Sequence, residues 1–208
     1  MSLALILSFI QYSLVMAFTP GPNNMMLAAS GANFGYWRSL PHILGVTFGF
    51  PLMFLAVGLG FSQIFETYPL FYMTIKILGL IYLVYLAYKI SQFKPKKVDD
   101  KDVGKIAKPI SFIQAMLFQW INPKAWATMT IALTNFTSPH LEWHMGYQVA
   151  MLVGISFFVS YASASSWCLF GAAIAPLLKK EKIRKIFNYT MAILVIASVL
   201  VAMLYDKA

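Results

Sequence analysis

Acidic residues are scarce in this chain, and none falls where the sequence is most apolar. The seven Asp and Glu of its 208 residues include Glu66 and Glu142, between apolar runs on one side, and Asp99, Asp100, Asp102 and Glu181 in lysine-rich stretches. Charged residues of either sign make up 11% of the chain, 60% is hydrophobic, and mean hydropathy is +0.70. Soluble domains carry about 25% charged residues, so a water-solvated core is excluded and lipid is the implied solvent. Cys168 is the only cysteine, which rules out an intrachain disulfide, a CxxC redox pair and a cysteine-based metal site. HExxH, GxxxxGK[ST] and paired intramembrane aspartates are all missing, so neither an enzyme, an ATP-driven pump nor a cofactor or metal is expected. The N-terminus lacks a basic segment and its first apolar run is too long for a signal peptide, so no cleaved leader is expected.

Long apolar runs are what the sequence does contain. They cover about residues 3–33, 40–63, 70–90, 111–134, 145–175 and 186–205. Each can cross a bilayer, which takes about 20 apolar residues. The formal charge of +9 does not point to nucleic acid. Thirteen of the sixteen Lys and Arg lie between runs one and two (Arg38), three and four (Lys89 to Lys108), or five and six (Lys179 to Lys185). The connections between runs two and three and between four and five have none, and Lys207 lies at the C-terminus. By the positive-inside rule the three basic connections face the cytoplasm and both termini lie outside. The expected fold is an all-α integral membrane protein of six transmembrane helices in one domain spanning residues 1–208. A lysine-rich cytoplasmic linker at about 93–108 separates halves of about 1–92 and 109–208. Three spans per half require the halves to insert as inverted repeats.

Each half opens with an interrupted run. Pro20 and Pro22 flank Gly21, which makes a straight helix through residues 18–24 unfavourable. Asn23 or Asn24 is then expected to cap a second half-helix through residues 25–32. In the fourth run Asn122-Pro123 is the pattern of a helix start. Both breaks aim a helix N-terminus, with its free N–H groups and partial positive charge, at mid-membrane, which suits a carboxylate. Lys124 lies about 14 residues into its run, where a charge costs about 2.5–3.5 kcal/mol or more. Interrupted segments at corresponding places in two halves point to a transporter binding site. The candidate substrate-binding residues are therefore Pro20, Gly21, Pro22, Asn23, Asn24, Asn122, Pro123 and Lys124. The alternative is that these prolines only shape helix contacts.

These residues also resemble a family. Thr19-Pro20-Gly21-Pro22-Asn23-Asn24, with Ala29-Ser30-Gly31 and Asn33-Phe34-Gly35, is similar to the N-terminal signature of the LysE/RhtB amino-acid exporters. Gly45 to Phe50, Gly79 with Tyr82, Leu83 and Tyr85 to Lys89, and Phe118 to Ala125 extend the likeness over nearly the whole chain. The resemblance implies a secondary transporter in a bacterial inner membrane. It would export amino acids or close derivatives by proton antiport, nearest the homoserine, threonine or cysteine branches. The expected partners are an amino-acid substrate, protons and the lipid bilayer. An aquaporin-like channel for small neutral solutes is the rival reading, since inverted halves and an Asn-Pro helix start also describe such pores.

Other residues have simpler expectations. Lys76 is expected to snorkel to the outer headgroups, and His42 to lie at the cytoplasmic interface, with a proton relay as the alternative. Gly45/Gly49 and Ala150/Gly154 are small-residue pairs that let helices approach, within the chain or, alternatively, in a homodimer. Trp120 and Trp126 flank the second break, where one could shape the site.

Overall fold

The computed structural model describes residues 1–61 and 109–205, together with Thr67, Leu70, Thr74, Ile77, Ile81, Val84, Tyr85 and Tyr88. Lys76, Gly79, Tyr82, Leu83, the lysines at 89–108 and Lys207 lie outside the described residues, as do the side chains of Phe61, Arg184, Val195 and residues 198–205.

The first run becomes two helices. α1 (Leu3–Phe18) is capped by Ser2, whose Oγ accepts the Leu5 N–H at 3.3 Å. It stops at Thr19, which is extended (φ −62°, ψ 134°), as a residue before proline prefers. Gly21 is extended too, and α2 (Pro22–Arg38) starts on Pro22, whose fixed φ suits the first helical position. The two axes differ by 57°. Near its end α2 turns at Gly35, where φ is +73°, a left-handed value that favours glycine.

α3 (Leu40–Ala56) continues into a π-turn, Val57–Phe61. The eight described residues between 67 and 88 are helical and exposed. α4 (Phe112–Phe118) opens with a capping box between Ser111 and Gln114 and tightens into a 3₁₀ turn, Gln119–Ile121. Asn122 is extended before Pro123, and α5 (Pro123–Phe136) follows. α6 (Met145–Ile174) has 30 residues, long enough to cross a bilayer at a tilt. α7 (Glu181–Tyr205) closes the chain.

Close approaches between glycines and backbone hold the bundle together. α2 and α6 share its most extensive interface. A Cβ on Gly31 would sit 1.9 Å from the Cys168 carbonyl oxygen, and one on Gly171 would sit 1.9 Å from that of Ala28. α3 meets α4 the same way, with Gly45 against the Phe112 carbonyl and Gly49 against the Met116 backbone. That pair therefore works within the chain, whereas Gly154 meets nothing within 4 Å. Phe9, Met53, Phe54, Met129 and Leu152 form one buried cluster, with Leu27, Ile43, Val46, Ala164 and Cys168 in a second. Outward-facing residues such as Leu7, Val15, Phe158 and Ile193 are exposed apolar ones, as expected where lipid is the solvent.

Among the described residues, Leu40–Gly60 and Met145–Ile174 are each long and apolar enough to cross a membrane, and the bent α1–α2 pair makes a third candidate. The fourth run is divided at Asn122 into a shorter apolar piece, Phe112–Ile121, and α5. The protein is helical and built for a membrane; the count of six spans rests on the sequence.

Candidate functional site

The two breaks meet. Lys124, in the first turn of α5, lays its side chain across Gly21 and donates from Nζ to the carbonyl of Thr19, the last link of α1. A Cβ on Gly21 would lie 2.7 Å from Lys124 Cδ, so a side chain there would push the lysine out of this crossing. Three residues before the second break, Gln119 exchanges hydrogen bonds with Asn23. Asn23 Nδ2 donates to Gln119 Oε1 at 2.8 Å, and Gln119 Nε2 donates to Asn23 Oδ1 at 3.4 Å and to the Ala115 carbonyl at 2.8 Å.

Helix starts and side-chain roles differ at the two breaks. Asn122 caps α5 as an Asn-Pro pattern predicts, its Oδ1 accepting the Lys124 N–H at 3.1 Å. At the first break neither asparagine is the cap. Gly21 is, with no side-chain bond, because Pro22 starts the helix and leaves Asn23 and Asn24 as the next two helical residues. Asn24 turns its amide back to α1, donating to the carbonyls of Ala17 and Thr19 at 2.8 Å each. That contact satisfies acceptors that a broken helix leaves open. The backbone N–H groups of Asn23 and Asn24 have no acceptor among the described residues.

Beside this junction lies a cavity of about 90 Å³. Of the eight residues expected to bind, Gly21, Asn23, Asn24, Asn122 and Lys124 line it. Pro20, Pro22 and Pro123 do not, and act by setting the backbone of the two helix starts. Among the described residues Lys124 is the one charged residue in the lining, and it has no ion pair. Unfilled N–H donors and an ammonium without a carboxylate form an anion-accepting corner. The Thr19 carbonyl, which accepts from Asn24 and Lys124, can accept from a ligand's cationic donor in the lysine's place.

Several lining residues were not singled out in the sequence. Tyr12 and Ser13 come from α1, with the Tyr12 hydroxyl donating to the Thr128 carbonyl at 2.8 Å. Ser156, Ser160 and Ser163 come from α6, and Ser163 Oγ donates to the Ala17 carbonyl at 2.8 Å. Spacings of four and three put these serines on one helix face, a signal present in the sequence. Trp120 and Trp126 do not line the cavity. The Trp126 indole N–H donates to the Trp120 carbonyl at 2.9 Å, clamping the second break from outside.

His42, expected at the cytoplasmic interface, is fully buried within the protein, with Nδ1 2.8 Å from Ser30 Oγ of α2 and Nε2 without a partner among the described residues. It lies one helical turn from Val46, which lines the cavity.

The profile of the LysE type translocator family matches residues 14–206. The cysteine/O-acetylserine efflux protein of Escherichia coli strain K12 is 34% identical over 155 residues, covering 73% of this chain and 76% of that protein. Its namesake in Shigella flexneri is 34% identical over 151 residues, covering 71% and 74%. No solved structure matches. The chain belongs to the LysE type translocator family: it is a multi-pass membrane transport protein and not an enzyme.

Proposed function

We propose that this LysE type translocator exports small amino acids or close derivatives from the cytoplasm, as a secondary transporter driven by proton antiport. The observation that carries the reading is the meeting of two broken helices at one cavity, where Lys124 and the N–H groups of Asn23 and Asn24 are offered to an anion. The relatives named for cysteine and O-acetylserine efflux support an amino-acid substrate. Its carboxylate takes the N–H groups of α2 and competes with the Thr19 carbonyl for Lys124. Its ammonium then gains the acceptors that Lys124 releases.

In this reading the six spans form one domain of two inverted three-helix halves, about 1–92 and 109–208, joined by the cytoplasmic linker. Both termini lie outside the cytoplasm in a bacterial inner membrane. The halves rock about the cavity to give alternating access. The latches between the breaks, Asn23–Gln119 and Lys124–Thr19, lie where such rocking is felt first.

The test is efflux from cells overproducing the protein and loaded with a panel of amino acids, with and without a protonophore. Wild type is compared with Lys124→Ala and Asn24→Ala at matched membrane levels. Protonophore-sensitive efflux of particular amino acids, lost in both variants, is the expected result. Efflux of every amino acid equal to an empty vector would overturn the export reading. Protonophore-insensitive downhill flux of neutral solutes would favour a channel.

A further inference from the structure

Resting on the export reading above, we propose that Ser13, Ser156 and Ser160 form the side-chain pocket of the cavity. They select amino acids with a short, uncharged, hydrogen-bonding side chain. The starting point is the Ala17 carbonyl, which accepts from both Asn24 and Ser163 and so marks where the anion-accepting corner meets α6. Ser160 lies three residues from Ser163 along α6, about 4.5 Å of rise, and Ser156 lies seven, about 10.5 Å. Ser13 is one turn from Ala17 on α1, the helix that meets α6 there. All three line the cavity.

Their hydrogen bonding separates them from ordinary helix serines. Ser163 is committed to Ala17. Ser156 is 3% exposed and Ser13 7% exposed, yet neither hydroxyl has a partner among the described residues. Small polar residues in membrane helices commonly bond back to their own helix, as Ser8 and Thr47 do here. A hydroxyl that is buried, unpaired and on a cavity wall is set up for a partner that arrives with the ligand.

Size and charge define that ligand further. A water needs about 10–15 Å³ of such space, so 90 Å³ holds a solute of roughly six to nine non-hydrogen atoms. The rest of the described wall is mostly apolar, with Phe9, Leu27, Val46, Phe50 and Phe54, and its other polar side chains, Tyr12, Gln119 and Thr128, already hold protein partners. Among the described residues the lining contains no carboxylate, so a lysine or arginine side chain finds no counter-charge there. An acidic side chain competes with the substrate's own α-carboxylate for Lys124, the one cation among the described lining residues. Short hydroxyl or thiol side chains meet both the size limit and the free hydroxyls.

The test uses the purified protein in liposomes loaded with serine, alanine and lysine together, and reads efflux ratios, which do not depend on the amount of active protein. Wild type is expected to release serine ahead of alanine and to retain lysine. Ser156→Ala lowers the serine-to-alanine ratio by roughly three- to tenfold, the loss of one neutral hydrogen bond, and the double variant Ser13→Ala/Ser156→Ala lowers it at least as far. Ser156→Thr, which keeps the hydroxyl, restores it. A ratio unmoved in the double variant, or lysine efflux matching serine in wild type, would overturn this pocket while leaving export standing. Absence of efflux of any amino acid from wild type would overturn export itself, and the pocket with it.

Discussion

Adding one methyl group at the α2–α6 crossing tests what holds this bundle together. A Cβ on Gly171 would lie 1.9 Å from the Ala28 carbonyl oxygen, 2.6 Å from its carbon and 2.8 Å from its Cα. All three are backbone atoms, so no side-chain rotation relieves the overlap. Even a tight contact of about 3 Å requires the helices to part by roughly 1 Å, which strips contacts along the whole crossing. Overfilling a close contact costs about 1–3 kcal/mol. At about 2–4 °C per kcal/mol for a chain of this length, Gly171→Ala should lower Tm by about 2–12 °C. Gly31→Ala acts on the reciprocal contact, with the Cys168 carbonyl 1.9 Å away. Because one separation relieves both overlaps, the double variant should lose clearly less than the two singles together, by about 0.5–3 kcal/mol. Gly154→Ala is the control: its added methyl meets nothing within 4 Å, and Ala is about 1 kcal/mol better than Gly within a helix. Thermal unfolding of the purified protein in detergent reads all four variants. Unchanged Tm in Gly31→Ala and Gly171→Ala, or strict additivity in the double, would refute the crossing described here.

Other variants probe single contacts. Ser30→Ala leaves His42 Nδ1 without its 2.8 Å partner in a fully buried site, and should cost about 1–3 kcal/mol by the same unfolding assay. Cys168 is buried against the α2–α6 crossing, so a membrane-permeant maleimide should label it only after denaturation, read by gel shift. Gly21→Val places carbon atoms where Lys124 Cδ lies; efflux should fall as in Lys124→Ala, with far less effect on Tm than Gly171→Ala.

The sequence carries the breaks well because proline chemistry is local. Residues 19–22 and 122–123 determine where α1 and α4 end whatever surrounds them, and the Asn122 cap follows from its place before Pro123. The cap at the first break misleads for an equally local reason: two candidate asparagines follow Pro22, and the proline starts the helix ahead of both. What stays hidden is long-range. Asn23–Gln119 joins residues 96 apart and Ser163–Ala17 joins residues 146 apart, and no periodicity within one run encodes either pairing. The burial of His42 is hidden too, because its place at the start of an apolar run says nothing about Ser30 of α2, which meets it at 2.8 Å. Lengths of apolar stretches likewise overstate continuous helices: a run with a central Asn-Pro counts as one span in the sequence but folds as two short pieces.

The eight candidate residues look alike in sequence, and the structure divides them by what each side chain already holds. The amides of Asn23 and Asn24 are occupied, one by Gln119 and the other by the carbonyls of Ala17 and Thr19. Their backbone N–H groups, which no substitution except proline removes, are the part left to a ligand. Lys124 is different, because the one hydrogen bond its ammonium makes among the described residues is to a carbonyl that a carboxylate can displace. Kinetics should therefore split by role. Lys124→Met removes a charge-assisted contact of about 1.5–3 kcal/mol, which corresponds to a rise of roughly ten- to 150-fold in the substrate concentration giving half-maximal efflux. Asn23→Ala keeps its N–H and loses its link to the buried Gln119, so stability should fall by about 1–3 kcal/mol while half-saturation moves less than threefold. Efflux from liposomes at graded internal substrate, with unfolding in parallel, measures both. If Asn23→Ala raises half-saturation as far as Lys124→Met does, the Asn23 side chain binds the substrate, and the Asn23–Gln119 latch must open for it to do so.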